Sequence, residues 1–391
     1  MRKFSIILSV VCCLGTSAQT AYDGILKQIE ENSPALAALR DHTTAAKIAN
    51  RTGINPENPE VEFAYQWGNE VVGINKKNVC VKQSLDFPTV YSNRSKLANA
   101  LNAGEDINYM VARTELLGQA KQLCIDLTYQ NALRALYQRQ LDNAKAISAA
   151  MTKMELAGEA NALDINKAQL NLATMQNEVN AIDIERNRLI AELVKMNGGK
   201  AIACDVATFD LCPIPSDFEN WYAEVREKCP EAMYIRQQVA IKERELKLTK
   251  AEGLPKFSIG YTGEFVGQEK FQGVAVGMSI PLWANRNKVK RAKAEIAAIK
   301  STEFDIENEH YNNLKSLYNQ AIVLQANVNT LASSLVQNSS AELLLKAYNG
   351  KELPLLNYLL EMEYLISTQE KLLRTQRELA ATYAKLTEHL L

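Results

Sequence analysis

Hydrophobic and polar residues alternate in four short stretches of the chain. In the first, Val61, Phe63, Tyr65 and Trp67 face one way, while Glu60, Glu62, Ala64 and Gln66 face the other. In the second, Val79, Val81, Leu85 and Phe87 oppose Cys80, Lys82, Ser84 and Asp86. The third sets Phe257, Ile259, Tyr261 and Phe265 against Lys256, Ser258, Gly260, Thr262 and Glu264. The fourth sets Val274, Val276, Met278 and Ile280 against Gly273, Ala275, Gly277 and Ser279. A period of two means a strand with one apolar and one polar face. The pattern predicts strands over about residues 59–68, 77–87, 255–265 and 271–281. Each has the length of a tilted membrane strand, ~10 residues. A half-buried sheet in water shows the same alternation. The membrane reading is favoured because the polar faces carry Glu, Lys and Gln and little nearby sequence could cover the apolar faces. Tyr65, Trp67 and Tyr261 suit an interfacial aromatic girdle.

Elsewhere the period is helical. Residues 91–156 contain no proline, and residues 284–348 contain neither proline nor glycine, so each stretch predicts one very long helix. A run of ~60 residues spans ~90 Å, too long for a globular core to bury. Coiled-coil packing can bury it. Leu314, Leu317, Ala321, Leu324, Val328, Leu331 and Leu335 alternate steps of three and four, and Leu365, Leu372, Leu379 and Leu386 recur every seven residues. Gly158 and Gly350 read as helix ends, each followed by another helix, so each half should finish in an antiparallel hairpin.

The chain repeats itself. Pro34, Pro59, Phe63 and Tyr65 correspond to Pro230, Pro255, Ile259 and Tyr261 at an offset of 196. Pro88 corresponds to Pro281, Asn93-Arg94 to Asn285-Arg286, and Gly158 to Gly350 at 192 or 193. The expected organisation is a first repeat over residues 19–196, an irregular linker over 197–216 and a second repeat over 217–391. Each repeat reads helix, strand, strand, long helix, helix, a mainly α fold with a small β part.

Composition narrows the function. Met1-Arg2-Lys3, the apolar run Phe4–Leu14 and the small residues Thr16-Ser17-Ala18 form an export signal over residues 1–18. Cys12 and Cys13 sit inside that run without a lipid-attachment context. No later apolar run reaches the ~18 residues of a membrane-spanning helix. The formal net charge of −1 gives no electrostatic case for nucleic acid. Five cysteines follow the leader, an odd number without a CxxC, so neither a disulfide framework nor a zinc site is signalled, and Cys80, Cys124 and Cys229 read as small buried residues. Cys204 and Cys212 flank one loop, and their pairing is left open. His42, His310 and His389 are well separated, and no catalytic, metal or cofactor motif is present, which argues against an enzyme. Met151 and Met154 share a helix face, where helix packing is the plainer reading and a soft-metal relay the sharper one.

Four membrane strands cannot close a barrel, and open edges in lipid cost several kcal/mol per unpaired group. Copies must therefore pool their strands. Pro88 and Pro281 stop each sheet and pass the chain into a helix, making strand–helix joints with Arg94 and Arg286 just beyond them.

The duplicated plan resembles the TolC family of outer-membrane efflux proteins. So do the joints "DFPTVYSNR" and "SIPLWANRNK" and the turns "AGEANALDINKAQLNL" and "NGKELPLLNYLLEMEYL". The resemblance covers nearly the whole chain after the leader. It implies a homotrimer in the lipid of the bacterial outer membrane, with a 12-stranded β-barrel continued by a long α-helical barrel in the periplasm. It implies an exit duct coupled to a periplasmic adaptor (membrane fusion) protein and an inner-membrane pump, with no cofactor. It also implies a periplasmic gate where the inner hairpins converge, often lined by acidic residues after the helix turn. Asp164, six residues after Gly158, matches that pattern. The second half departs from it, with Leu356 six residues after Gly350 and Leu359 three further on, leaving Lys351 and Glu352 as gate candidates and Glu361 nearby. A solvated turn is the alternative for each. The alternative for the whole chain is an exported coiled-coil scaffold or adhesin without a pore.

Overall fold

The computed structural model describes residues 20–69, 74–158, 161–210, 212–283, 285–338, 341–350 and 352–391. The export signal and Lys351 lie outside the described residues. In chain order the elements are α1 (Thr20–Asn32), α2 (Pro34–Ala49), β1 (Glu60–Gln66), β2 (Lys76–Leu85), α3 (Pro88–Leu156), α4 (Ala162–Met196), α5 (Phe218–Lys228) and α6 (Pro230–Ala251). There follow β3 (Lys256–Val266), β4 (Glu269–Ser279), α7 (Lys288–Asn338), α8 (Ala341–Asn349) and α9 (Leu355–Leu386). The protein is mainly helical, with one small antiparallel sheet.

Two compact units are formed, each drawing on both halves of the sequence. One takes the segment up to Ala37, Arg113–Trp221 and Asn312–Leu391; the other takes Ala38–Ala112 and Tyr222–Tyr311. The first is a helical packing built from 3-4 seams. On α3, Leu117, Ala120, Cys124 and Leu127 form one stripe, buried against Ile25 and Ile29 of α1 and Leu189 and Leu193 of α4. Burying such a side chain contributes about 1.5–3 kcal/mol, so the stripe decides which face of the helix turns inward. Arg113 fixes the edge of this cluster by donating from Nε and Nη2 to the two carboxylate oxygens of Glu30 at 2.6 and 2.8 Å. Along α7 the predicted seam is buried at Leu314, Ala321 and Leu324 and half-buried at Leu317, Val328, Leu331 and Leu335.

The second unit holds the sheet, in the order β1-β2-β3-β4 with every neighbour antiparallel. Strands β2 and β3, from different halves of the sequence, pair over ten residues, from Lys76↔Val266 to Leu85↔Phe257. Gly260 permits this approach: a Cβ there would stand 2.6 Å from the Val81 carbonyl oxygen. Beside the sheet, α2 and α3 meet through Lys47 with Asp106 and Asn50 with Asn102, and Gln237 of α6 donates to the Ala100 carbonyl at 2.7 Å.

The long helix expected over residues 284–348 is shorter than its composition suggests. It starts at Lys288 and ends at Asn338, with α8 a separate element. Asn287 lies at φ +66°, a left-handed conformation that Asn tolerates and a helix interior does not, so the helix starts only after it. Gly350 accordingly ends the nine-residue α8 and not the long helix.

Candidate functional site

Paired residues in a sheet share a face, so the register defines two surfaces. One rung carries Val274, Tyr261, Val81 and Val61; the next carries Val276, Ile259 and Gln83, and the one after Met278, Phe257 and Leu85. That face is mainly apolar and open, with Val276 78 % and Val61 72 % exposed, and its polar members are Gln83, Gln272, Lys77 and Lys270. The opposite face carries Glu60, Glu62, Lys82, Ser84, Ser258, Thr262 and Glu264, with Lys76 and Glu264 paired at 2.5 Å. Phe271 and Val266 are large apolar residues on it. A large apolar side chain left in water forgoes on the order of 2 kcal/mol. A whole face of them forgoes more than a typical domain's net stability of about 5–15 kcal/mol. The face is built to be covered by something apolar. Trp67 follows β1 at one end of the sheet and Trp283 follows β4 at the other, both about four-fifths exposed. Tryptophans at both ends of an apolar band suit two interfaces. Trp283 was missed in the sequence because it lies beyond the alternating stretch.

The two joints differ. At the first, Pro88 opens α3 three residues after β2 ends, where its missing N–H costs nothing. Asp86, only 10 % exposed at its side chain, takes Arg94 Nη1 at 2.9 Å and Lys256 Nζ at 3.1 Å. Its backbone N–H donates to the Tyr91 hydroxyl at 2.8 Å, and the Arg94 guanidinium lies over the Tyr91 ring. Arg94 is thus a clamp between strand end and helix. Sequence alternation had marked Asp86 only as a polar-face residue. At the second joint Pro281 does not open a helix. Turns closed by Leu282 N–H to the Ile280 carbonyl and Arg286 N–H to the Trp283 carbonyl intervene before Lys288. Here Asn285 does the anchoring, through Nδ2 to the Glu252 carbonyl at 3.0 Å. Arg286 is exposed, with no ion pair among the described residues.

The helix turns differ in the same way. After α3, Gly158 takes φ +73°, and Asn161 caps α4. The Asn161 Oδ1 accepts from the Asp164 N–H at 2.9 Å while its Nδ2 donates to the Asp164 carboxylate at 2.9 Å, a reciprocal cap. Lys167 lies 3.6 Å from the same carboxylate. The cap of α9 is Pro354, without a side-chain bond. Glu352 is exposed, its N–H bonded to the Ala347 carbonyl at 2.9 Å. One cluster joins both turns: Ile147, Met151 and Ile165 pack with Leu355, Tyr358 and Met362. Tyr348 stacks on Tyr358 with ring centres 5.0 Å apart. Burial, and then the nearby Asp164 charge, push the Tyr348 phenol above its ordinary range. Asp164 therefore sits beside the second turn as well as the first. Met151 and Met154 belong to this packing. Next to it a cleft of about 510 Å³ runs between α3, α4 and α9 and presents Glu178, Glu363 and Glu370. Among the described residues no cluster of metal-binding side chains occurs, and no helix is long and apolar enough to cross a membrane.

No protein-family model and no curated protein matches the chain. Solved structures do. The outer-membrane channel OprN superposes with a TM-score of 0.76 at 14% identity, over 95% of this chain and 89% of its own. CusC, described for its transmembrane channel formation, gives 0.77 at 12% identity, over 95% and 92%. The outer membrane protein VceC from Vibrio cholerae gives 0.75 at 13% identity, over 95% and 97%. The chain thus has the fold of the TolC-type outer-membrane channels, along almost its whole length. The helical hairpins, the four-stranded sheet and the joints between them are the parts of that fold.

Proposed function

We propose that the protein is an outer-membrane exit duct of a tripartite efflux or secretion system, reaching into the periplasm and passing small molecules or ions outward. The observation that carries this reading is the four-stranded sheet, with one face mainly apolar and open and the other charged. Its first and last strands, β1 and β4, pair on one side only among the described residues. In lipid those edges cost several kcal/mol per unpaired group. A ring of copies removes them, and three copies give twelve strands, within the range of membrane barrels. The apolar face then meets lipid and the charged face lines water. The helices continue the wall, and their turns form the periplasmic gate, with Asp164 and Glu352, and Lys351 from outside the described residues, at its mouth. A periplasmic adaptor and an inner-membrane pump complete the system. The likeness to OprN, CusC and VceC supports this reading through the shared fold.

The test is the native mass of the protein extracted from outer membranes in mild detergent, together with its response to urea washing. A urea-resistant trimer is expected. A urea-soluble monomer or dimer would remove the duct and leave an exported scaffold.

A further inference from the structure

We infer that Cys124 and Cys204 form a disulfide once the protein is exported, cross-linking α3 to the irregular segment between the two halves. Both residues belong to one buried cluster, Cys124 at 0 % and Cys204 at 7 % exposure. The segment is latched to the face of α3 that carries Cys124. Asn131, two turns further along that face and itself 8 % exposed, donates from Nδ2 to the carbonyls of Cys204 and Val206, each at 2.9 Å. The Asn131 Oδ1 accepts from Arg186 Nε at 2.7 Å, so the amide cannot turn away. Thr128, one turn from Cys124, bonds the Cys124 carbonyl and the Tyr22 hydroxyl, both at 2.9 Å. Backbone and neighbours are thus held while the two thiols share one buried cluster. The mutual influence of the two thiols, the largest on each, pushes the Cys124 thiol up and the Cys204 thiol down. Both are thiols in this structure. Cys212, the other candidate partner of Cys204, instead lies by the Asp210 carbonyl at 4.0 Å, its thiol pushed up to about 11 by burial.

The pairing rests on the export in the function proposed above, because disulfides persist in oxidising compartments. The oxidant is a disulfide-bonded thiol oxidase of that compartment, acting before the cluster closes. The Cys204 thiolate attacks one sulfur of the oxidase disulfide, forming a mixed disulfide and releasing one oxidase thiolate. The Cys124 thiolate then attacks the Cys204 sulfur, breaking the mixed disulfide and releasing the second thiolate. Two electrons pass to the oxidase, and the two cysteine protons end on its two thiols. The bond closes a loop of about 80 residues, and longer loops restrict an unfolded chain more.

The full-length protein, recovered from fractionated cells with its free thiols alkylated under denaturing conditions, is digested with trypsin. Cys124 falls in the peptide 122–134, while Cys204 and Cys212 share 201–226. The expected product is 122–134 linked to 201–226, two hydrogens lighter than the sum, with Cys80, Cys212 and Cys229 alkylated. The link must persist in C212S and vanish in C204S. An alkylated, unlinked 122–134 in protein from the outer membrane overturns the pairing and leaves the duct reading intact. So does a link that is lost in C212S. Recovery in the cytosol would instead overturn the export reading. The pairing then stands or falls on whether oxidised glutathione forms the same link in the purified, reduced protein.

Discussion

The two halves of the chain repeat one plan, yet the joint and turn of the first are held by charge and those of the second are not. At the first joint one nearly buried carboxylate, Asp86, gathers Arg94 and Lys256. At the second, Arg286 is exposed and a single amide bond from Asn285 does the anchoring. The first turn has a reciprocal Asn161–Asp164 cap, and the second has Pro354, whose side chain has no acceptor for the helix N–H groups. Duplication kept the elements, because strand alternation and heptad spacing are needed in both halves. It did not keep the small polar devices that fix each corner.

The largest test of that asymmetry is Asp86→Ala against Arg286→Ala. Removing Asp86 leaves Arg94 and Lys256 without their shared partner, and hydrogen bonds to charged groups contribute about 1.5–3 kcal/mol each. Their partial exposure keeps the expected loss near the lower end. Arg286→Ala should stay within about 0.5 kcal/mol, as for most surface changes. Urea midpoints of the detergent-extracted variants measure both. Equal losses would mean that the second joint has an anchor as strong as the first.

The strand faces and the seam of α7 were legible because each is a repeated, local choice. Every residue from Glu60 to Gln66 repeats the same instruction, and the register preserves it. Three things were not legible. The delayed start of α7 depends on one left-handed residue, Asn287, inside a stretch with no proline or glycine after Pro281. The clamp at Asp86 depends on Lys256, which lies 170 residues away and approaches only when β2 pairs with β3. The thiol pair of Cys124 and Cys204 joins a helix stripe to a linker whose path no periodicity encodes. Turn chemistry sat between these cases. The Asn161-x-x-Asp164 spacing is a cap signature, but the resemblance drew notice to Asp164 as a gate residue before its partner.

That double character gives a smaller, sharper experiment. Asn161→Ala removes the side-chain cap and should cost about 1 kcal/mol. It should leave single-channel ion selectivity unchanged. Asp164→Asn removes the charge and should lower cation preference and block by divalent cations if the carboxylate lines the gate. If Asp164→Asn alters the midpoint alone, with conductance and selectivity intact, Asp164 is a cap and the gate lies elsewhere.

The smallest expected effect concerns acid. In the second unit His310 of α7 packs by Tyr222 of α5, with ring centres 6.0 Å apart. The offset of 196 places Leu26 where the second half has Tyr222, and the offset of 192 places Gly118 where it has His310. Leu26 lies in the apolar cluster of α1, α3 and α4, and a Cβ on Gly118 would stand 2.3 Å from the Glu388 carboxylate, so that position takes no imidazole. Around His310, burial lowers its pKa below the ordinary 6.5, while Glu231 of α6 and Glu307 of α7 oppose the shift. Arg226 adds a positive charge nearby and pairs with Glu307 at 2.8 Å. A histidine whose folded pKa is depressed binds fewer protons in the folded state than in the unfolded one. Its contribution is complete above about pH 6.5 and is lost as pH falls below that value toward the folded pKa. Between pH 7.5 and pH 5, therefore, the wild-type melting temperature should fall more steeply than that of His310→Gln. Equal slopes would mean that the His310 site carries none of the acid sensitivity.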